Sequence, residues 1–219
     1  MTIALLCPTR KRPEQFRRMI RSAFETANPK SVKIYAAFSK EEWDEYAYCA
    51  DDCWVSIMPD GMPTAHKWNA LAEIAMKDKS NTHFMLASDD MVFTTPLWNE
   101  ALLAAYTNTP HVYHLRDSRD EFGTPHPIVT REYIEAMGFF LPPFFMHWYV
   151  DSWTVEIAKH NNCFTHLKDY MLEHIKPSDA GKPDETHTGI RARGWHDRDK
   201  WVDEHCKDIL EMYKRRIKC

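Results

Sequence analysis

Glycine and long apolar runs are both scarce in this sequence. Only 6 of the 219 residues are glycine. None of them lies in the segment that follows the first predicted strand, which counts against a glycine-rich first loop of the pyrophosphorylase type. No apolar stretch approaches the roughly 20 residues that a membrane-spanning helix needs, so we expect no membrane insertion. The sequence also has no internal repeat and no low-complexity segment.

A C-x-x-C pair and an excess of basic charge are absent as well. The formal net charge is −4, although basic residues cluster at 10–21 and 214–218, so there is no global basic footprint for nucleic acid. Scattered thiols indicate a reducing compartment, and the chain begins with a predicted strand rather than a signal peptide. We therefore expect a cytoplasmic protein. The six cysteines are Cys7, Cys49, Cys53, Cys163, Cys206 and Cys219.

Short apolar runs alternate with helical patterns over the first half of the chain. Such alternation predicts βαβ units, a mostly parallel sheet and an α/β fold. The predicted strands are 3–7, 32–38, 54–58, 83–88 and 111–115. The predicted helices between them begin at Pro13, Ser39, Pro63 and Thr94. The second half is predicted to contain helices at 132–138 and 150–160, a loop at 176–194 and a charged helix at 197–218.

Two adjacent carboxylates follow the fourth predicted strand. The apolar residues 84–87 lead into Ser88, Asp89 and Asp90. Unpaired carboxylates are too costly to bury inside a sheet, so we expect the pair where the strand leaves it. Ligands bind at that edge in open α/β sheets. Two carboxylates suit Mg²⁺ or Mn²⁺, with substrate phosphates completing the coordination. A solvated turn is the alternative interpretation.

Three segments in order carry a resemblance to a known family. Residues 7–13 read CPTRKRP, residues 88–90 read SDD, and residues 127–151 run from PIVTR to WYVD. They resemble the nucleotide-binding turn, the metal motif and the acceptor segment of glycosyltransferases of the GT-A fold, in particular the family 2-like inverting enzymes. A distal segment, 172–187, resembles one that supplies a histidine to the metal. The chain departs from the pattern at Ser88, where the family has aspartate, at Val150, and in its short length.

The resemblance implies a GT-A (Rossmann-like) fold with a mostly parallel central sheet and a helical C-terminal extension. One domain of 1–219 would contain a nucleotide-sugar-binding half at 1–116, an acceptor-side half at 117–194 and a C-terminal helix at 195–219. The activity implied is metal-dependent, inverting transfer of a sugar from a nucleotide diphosphate donor, UDP-linked, to a hydroxyl acceptor.

The same resemblance assigns roles to individual residues. Asp151 is the predicted catalytic base, with a helix N-cap as the alternative. Asp90 and His174 are the predicted ligands of Mn²⁺ or Mg²⁺, with a surface histidine as the alternative for His174. Trp148 and Tyr149 are predicted to bind the acceptor by stacking, unless they belong to the core. The predicted donor-binding residues are Pro8, Thr9, Arg10, Arg12, Asp60, Lys67, Asn69 and Asp89, with a Pro-Asp-Gly turn as the alternative for Asp60.

The donor-binding turn also has a physical basis. A turn that leads into a helix presents free backbone N–H groups to phosphate, and arginine adds bidentate contacts. Two other functions stay open: a metal-dependent nucleotidyl or phosphoryl transferase, and an inactive nucleotide-sugar-binding module. The acceptor is unknown. One specific version is a phage-type enzyme, located in the host cytoplasm, that glycosylates a hydroxymethylated base in DNA.

Overall fold

The computed structural model describes residues 1–119, 124–175 and 185–217. The strands are β1 (Thr2–Pro8), β2 (Val32–Phe38), β3 (Cys53–Ile57), β4 (Asn81–Leu86), β5 (Met91–Phe93), β6 (Val112–Asp117), β7 (Ile128–Thr130) and β8 (Phe164–His174). The helices are α1 (Pro13–Thr26), α2 (Trp43–Tyr46), α3 (Thr64–Ala75), α4 (Trp98–Ala104), α5 (Arg131–Met137), α6 (Val150–His160), α7 (Glu185–Ala192), α8 (Trp195–His205) and α9 (Lys207–Lys214).

The eight described strands form one sheet in the order β3-β2-β1-β4-β7-β6-β8-β5. Strands β3, β2, β1 and β4 are parallel, β7 is antiparallel to both β4 and β6, and β8 is parallel to β6. Strands β1, β4, β6 and β8 therefore run in one direction, and their carboxyl ends meet at one edge. That edge is where ligands bind in open α/β sheets.

Alternate residues of β1 enter two different apolar layers. Ile3 and Leu5 pack into the layer that contains α1, whereas Ala4 and Leu6 pack into the layer that contains α3 and α6. All four side chains are fully buried. A strand buried on both faces reads as a continuous apolar run, which is why β1 was predictable from sequence.

The α/β prediction is confirmed, and the second strand is found at its predicted bounds. The predicted loop at 176–194 is wrong where the structure describes it, because 185–192 is helical; residues 176–184 lie outside the described ranges. The predicted single helix at 197–218 is also wrong, because it breaks at Cys206 into α8 and α9. Val202 in α8 and Leu210 in α9 both lie buried in the same apolar layer.

Two expectations concern the protein's surroundings. Within the described ranges, no helix combines the length and apolar character that a bilayer crossing requires. Cys163 is disulfide-bonded, whereas Cys7, Cys49, Cys53 and Cys206 are free thiols. A disulfide is more typical of an oxidising compartment. The cysteines therefore do not decide between a reducing and an oxidising compartment, and the cytoplasmic location stays a prediction.

Candidate active site

A cavity of about 240 Å³ opens at the carboxyl edge of the sheet. It brings together residues from strand ends that are distant in sequence, from the turn after β1 to the segment before α8. Asn69 is the one predicted site residue that does not line it. The predicted residues in its wall are Pro8, Thr9, Arg10, Arg12, Asp60, Lys67, Asp89, Asp90, Trp148, Tyr149, Asp151 and His174.

The turn between β1 and α1 holds the first of the two central carboxylates. The Thr9 hydroxyl donates to Asp89 Oδ2 at 2.8 Å, and Arg12 Nη1 donates to Asp89 Oδ1 at 2.9 Å. Lys11 supplies the sharp turn through a left-handed backbone with φ of 54°. Tyr46 closes the arrangement, because its hydroxyl accepts from Arg12 N and contacts Thr9 Oγ1. Both oxygens of Asp89 are thus used inside the protein.

Asp90 has different partners. Its Oδ1 accepts a hydrogen bond from the Ser88 hydroxyl at 2.5 Å and lies 3.3 Å from His174 Nε2. Arg12 Nη1 lies 3.6 Å from Asp90 Oδ2. Burial alone would raise the pKa of Asp90, but the contacts with His174, Ser88 and Arg12 outweigh burial and hold that pKa below its usual value. Burial and the neighbouring Asp90 charge raise the pKa of Asp89 to about 6.

A third carboxylate and a second histidine lie beside Asp90 and His174. Neither was predicted from the sequence. Asp117 ends β6, and His126 precedes β7. His126 Nδ1 lies 3.1 Å from Asp117 Oδ2, and His174 Nδ1 lies 3.8 Å from Asp117 Oδ1. One ligand atom from each of these three residues lies within 4.8 Å of the other two. Imidazole and carboxylate together suit a divalent transition metal, so these residues fit the metal that the resemblance implies.

Another part of the cavity wall carries three cationic groups around Asp60. Arg10 Nε lies 2.5 Å from Asp60 Oδ1, and Arg193 Nη2 lies 3.4 Å from Asp60 Oδ2. Lys67 is almost fully buried in α3, and burial lowers its pKa. Helix α7 approaches closely here: a Cβ atom on Gly189 would lie 3.4 Å from Arg10 Nη1. Arg193 was not predicted as a site residue, because the composition of 176–194 predicts a loop.

Asp151 enters the cavity from the first turn of α6. Tyr149 occupies the N-cap position, with a left-handed φ of 66°, so the alternative that Asp151 is the N-cap is wrong. Asp151 Oδ1 accepts from the backbone N–H of Ser152 at 2.8 Å. Burial raises the pKa of Asp151, and the Ser152 N–H offsets part of that rise. A carboxylate with a raised pKa in a cavity is suited to accept a proton.

The segment before Asp151 forms an aromatic wall that α8 holds in place. The fully buried Asp199 accepts backbone N–H bonds from Met146 at 2.8 Å, His147 at 2.8 Å and Trp148 at 3.0 Å. Trp148 packs edge-on against the His196 ring, with 5.0 Å between ring centroids. Three backbone N–H groups on one buried carboxylate fix the backbone that presents Trp148. No local sequence pattern predicts this contact.

Asn69 has a different task from the predicted one. Its Nδ2 donates to the carbonyl of Leu141 at 3.0 Å, and its Oδ1 accepts from the N–H groups of Phe140 at 3.2 Å and Leu141 at 2.9 Å. The amide is therefore engaged with the backbone after α5. Asn69 stabilises that turn and does not contact the cavity.

No known family model and no curated protein sequence matches this chain. Solved structures do match. Residues 1–349 of S. aureus TarS share 12% identity with a TM-score of 0.58, covering 82% of this chain and 62% of that one. The chain therefore has the GT-A glycosyltransferase fold. This finding confirms the fold that the three sequence segments predicted.

Two further GT-A structures agree. A mannosyltransferase from Pyrobaculum calidifontis, solved with GDP-Man and Mn²⁺, shares 12% identity with a TM-score of 0.55, covering 79% of this chain and 56% of that one. The catalytic domain of Drosophila β1,4-galactosyltransferase 7 shares 16% identity with a TM-score of 0.50, covering 75% and 64%. This GT-A chain thus spans less than two thirds of each of these structures. At identities this low the structural matches establish only the fold, so the reaction has to be inferred from the cavity residues.

Proposed function

We propose that this chain is a metal-dependent, inverting glycosyltransferase that moves a sugar from a nucleotide diphosphate donor to a hydroxyl acceptor. The observation that carries the proposal is the content of one cavity. It has Asp90 and His174 on one side, cationic groups around Asp60 on another, and Asp151 beside the aromatic wall. A transferase needs these three elements together: a site for the diphosphate, a base for the acceptor and a surface for the acceptor.

The donor is proposed to be a UDP-linked sugar that lies between the β1 turn and α3. The TarS fragment has been solved with UDP and with UDP-GlcNAc. In this chain the backbone N–H groups of Thr9, Lys11 and Arg12 already bond to the Ala37 carbonyl, Glu42 Oε1 and the Tyr46 hydroxyl. The cationic side chains are therefore the proposed contacts to the diphosphate. Lys67 and Arg10 add positive charge nearby. Asp60, which pairs with Arg10 and Arg193, is proposed to accept a hydrogen bond from an N–H group of the base.

Asp90, His174 and the neighbouring Asp117 and His126 offer the donor set for a divalent cation. When bound, such a cation would neutralise charge on the leaving diphosphate. His174 favours Mn²⁺ over Mg²⁺, because imidazole suits Mn²⁺ better. Arg12 contacts both central carboxylates and keeps them at fixed positions relative to the β1 turn.

Asp151 is proposed to act as the general base. The acceptor hydroxyl oxygen forms a bond to the anomeric carbon, the bond from that carbon to the phosphate oxygen breaks, and the hydroxyl proton passes to an Asp151 oxygen. The leaving oxygen departs with the bonding electron pair as nucleoside diphosphate. Attack from the face opposite the leaving group inverts the anomeric configuration. The raised pKa of Asp151 favours proton acceptance over that of an ordinary aspartate.

The same residues bear on the two alternative functions. A nucleotidyl transferase would need a second metal-binding carboxylate and no base on the sugar side. Here Asp117 supplies a second carboxylate beside His174, so the sugar-side base is the feature that separates the two functions, and Asp151 lies in the cavity. An inactive binding module would not need a carboxylate with a raised pKa at that position. These contacts favour sugar transfer.

The acceptor is proposed to be a hydroxyl compound that stacks on Trp148 and Tyr149. DNA with a hydroxymethylated base is the specific version predicted from sequence. If DNA is the acceptor, transfer should fall steeply with salt, because phosphate contacts release counterions. A small-molecule acceptor should show little salt dependence.

Release of nucleoside diphosphate tests the proposed function directly. UDP-glucose, UDP-galactose, UDP-GlcNAc and GDP-mannose are each incubated with Mn²⁺, with and without hydroxymethylcytosine DNA or simple glycosides. We expect consumption of one donor, and Asp151→Asn should lower kcat by about 10²- to 10⁴-fold with donor affinity unchanged. Asp44→Asn, an exposed aspartate on α2, is the matched control. No donor consumption, or wild-type turnover by Asp151→Asn, would contradict the proposal.

A further inference from the structure

We propose that the cation is bound by Asp117, His126 and His174 through the Nδ1 atoms of the two histidines, and that Asp90 and Ser88 hold the rings from behind. This inference rests on the proposed function, because it assigns the ligands of the metal that the transferase would use. It changes the predicted role of Asp90 from direct ligand to hydrogen-bond partner of a ligand.

The far side of each ring is already occupied. His174 Nε2 lies 3.3 Å from Asp90 Oδ1, and His126 Nε2 lies 2.9 Å from Ser88 Oγ. The Ser88 hydroxyl gives its single proton to Asp90 Oδ1 at 2.5 Å. The Ser88 oxygen must then accept from His126 Nε2–H, since its own proton is used. Asp90 can only accept, so His174 Nε2 also carries a proton.

With protons on both Nε2 atoms, the Nδ1 atoms are the ring nitrogens that face Asp117. His126 Nδ1 lies 3.1 Å from Asp117 Oδ2, and His174 Nδ1 lies 3.8 Å from Asp117 Oδ1. Two imidazole nitrogens and a carboxylate that converge in this way offer the donor set of a divalent metal site. Carboxylate or hydroxyl partners on the outer nitrogen are the usual way in which proteins orient metal-binding histidines.

Two features of the cluster agree with a ligand at this position. His174 Nδ1 is buried and makes no hydrogen bond within the part of the chain that the structure describes. His126 has a left-handed backbone with φ of 59°, a conformation that is rare for residues other than glycine and is often found at functional sites. Asp117 and His126 are both almost fully buried. A buried orphan nitrogen and a strained residue therefore converge on the same carboxylate.

The position of Ser88 has a role in this arrangement. It is the place where the resemblance has aspartate, and its short hydroxyl side chain links His126 to Asp90. The resulting donor set of two imidazoles and one carboxylate favours Mn²⁺, Co²⁺ or Zn²⁺ over Mg²⁺, which prefers oxygen ligands. The site is thus expected to discriminate against Mg²⁺.

Mn²⁺ binding, monitored by electron paramagnetic resonance in the absence and in the presence of UDP, tests the ligand set. Pulsed measurements on the bound ion should detect two imidazole nitrogens in the wild type and one in His126→Ala. Asp90→Asn should keep two nitrogens while binding Mn²⁺ about 10- to 100-fold more weakly, as expected for loss of an outer partner. Asp117→Asn should weaken binding at least as much. His160→Ala, at an exposed histidine on α6, should bind as the wild type does.

Several results would overturn this inference. They are a single imidazole nitrogen on Mn²⁺ in the wild type, unchanged affinity in His126→Ala, or no Mn²⁺ binding, which would mean that a proton rather than a metal lies between His126 and Asp117. If His126→Ala does not fold, as judged by circular dichroism, His126→Asn provides the same comparison. Metal-dependent sugar transfer by a wild type that holds Mn²⁺ through a single imidazole nitrogen would overturn the inference and leave the proposed function intact. Mn²⁺ binding through two imidazole nitrogens without any sugar transfer would support the inference and contradict the proposed function.

Discussion

Asp89 and Asp90 are adjacent in the chain, but their surroundings give them different tasks. Both oxygens of Asp89 accept hydrogen bonds from the turn after β1, one from Thr9 and one from Arg12. Asp90 instead contacts the cavity histidine His174. Asp89 therefore joins the ends of β1 and β4, while Asp90 keeps its negative charge at the cavity wall.

The pH dependence of turnover should reveal the state of Asp151. A base must be ionised to accept a proton, so activity should fall as the pH falls through the pKa of Asp151. Burial raises that pKa, which places the acid limb of kcat above the ordinary aspartate value of about 3.9. A pH profile of kcat measures it. The residual activity of Asp151→Asn should lack this limb, and a limb that persists in that variant would assign it to another group.

At the residue scale, some features of the site could be predicted from the sequence and others could not. The carboxylate pair was predictable because two acidic residues close a buried apolar run. The division of labour between them was not, because it depends on Thr9 and Arg12, about eighty positions earlier in the chain. His126 had no local signal, since an isolated histidine in an irregular segment looks like any of the 12 histidines of the chain.

Helix α8 is an integral part of the acceptor wall. Its Asp199 accepts three backbone N–H groups from 146–148, and Arg198 Nη1 donates to the carbonyl of Phe144 at 2.7 Å. On the neighbouring α6, Trp153 Nε1 donates to Asp203 Oδ1 at 2.7 Å. The C-terminal helices thus set the position of the backbone that leads to Asp151.

Replacing Asp199 should therefore change both stability and acceptor binding. In Asp199→Asn the amide NH₂ group faces backbone donors, which leaves at least one N–H group beside a buried side chain unsatisfied, at a cost of roughly 1–3 kcal/mol. Urea unfolding measures this loss. The KM for the acceptor should rise more than the KM for the donor, because the affected backbone carries Trp148.

Asp197→Asn is the matched control on the same helix, because its side chain is 91% exposed. It should change stability by less than about 0.5 kcal/mol. Equal stability in the Asp199 and Asp197 variants would show that Asp199 does not hold the wall. Equal rises in both KM values would show that the effect spreads beyond the acceptor side.

Elements with continuous apolar runs or clear helical periodicity were predictable, as for β1, β2 and α6. Strand β8 was not predicted, because its residues are only partly buried and include Lys168 and Asp169. Helix α7 was missed because it follows a segment rich in proline, glycine and aspartate. Tertiary contacts with neighbouring elements, rather than local propensity, decide such segments.

The whole molecule gathers its site through the direction of its strands. The parallel strands β1, β3 and β4 place Thr9, Asp60 and Asp89 at one edge, so this half of the site could be predicted. The other half depends on β6 and β8 running the same way as β4, with β7 reversed between them. That order brings Asp117 and His174 to the same edge, and no sequence pattern specifies it.

The central claim is that this edge binds a nucleotide diphosphate together with a divalent metal. Calorimetric titration of the wild type and Asp90→Ala with UDP, GDP, CDP and ADP, each with and without Mn²⁺, tests it most directly. We predict that one nucleotide binds selectively, only when Mn²⁺ is present, and that Asp90→Ala loses this binding. If no nucleotide binds under either condition, or if Asp90→Ala binds as the wild type does, the cavity is not the donor site.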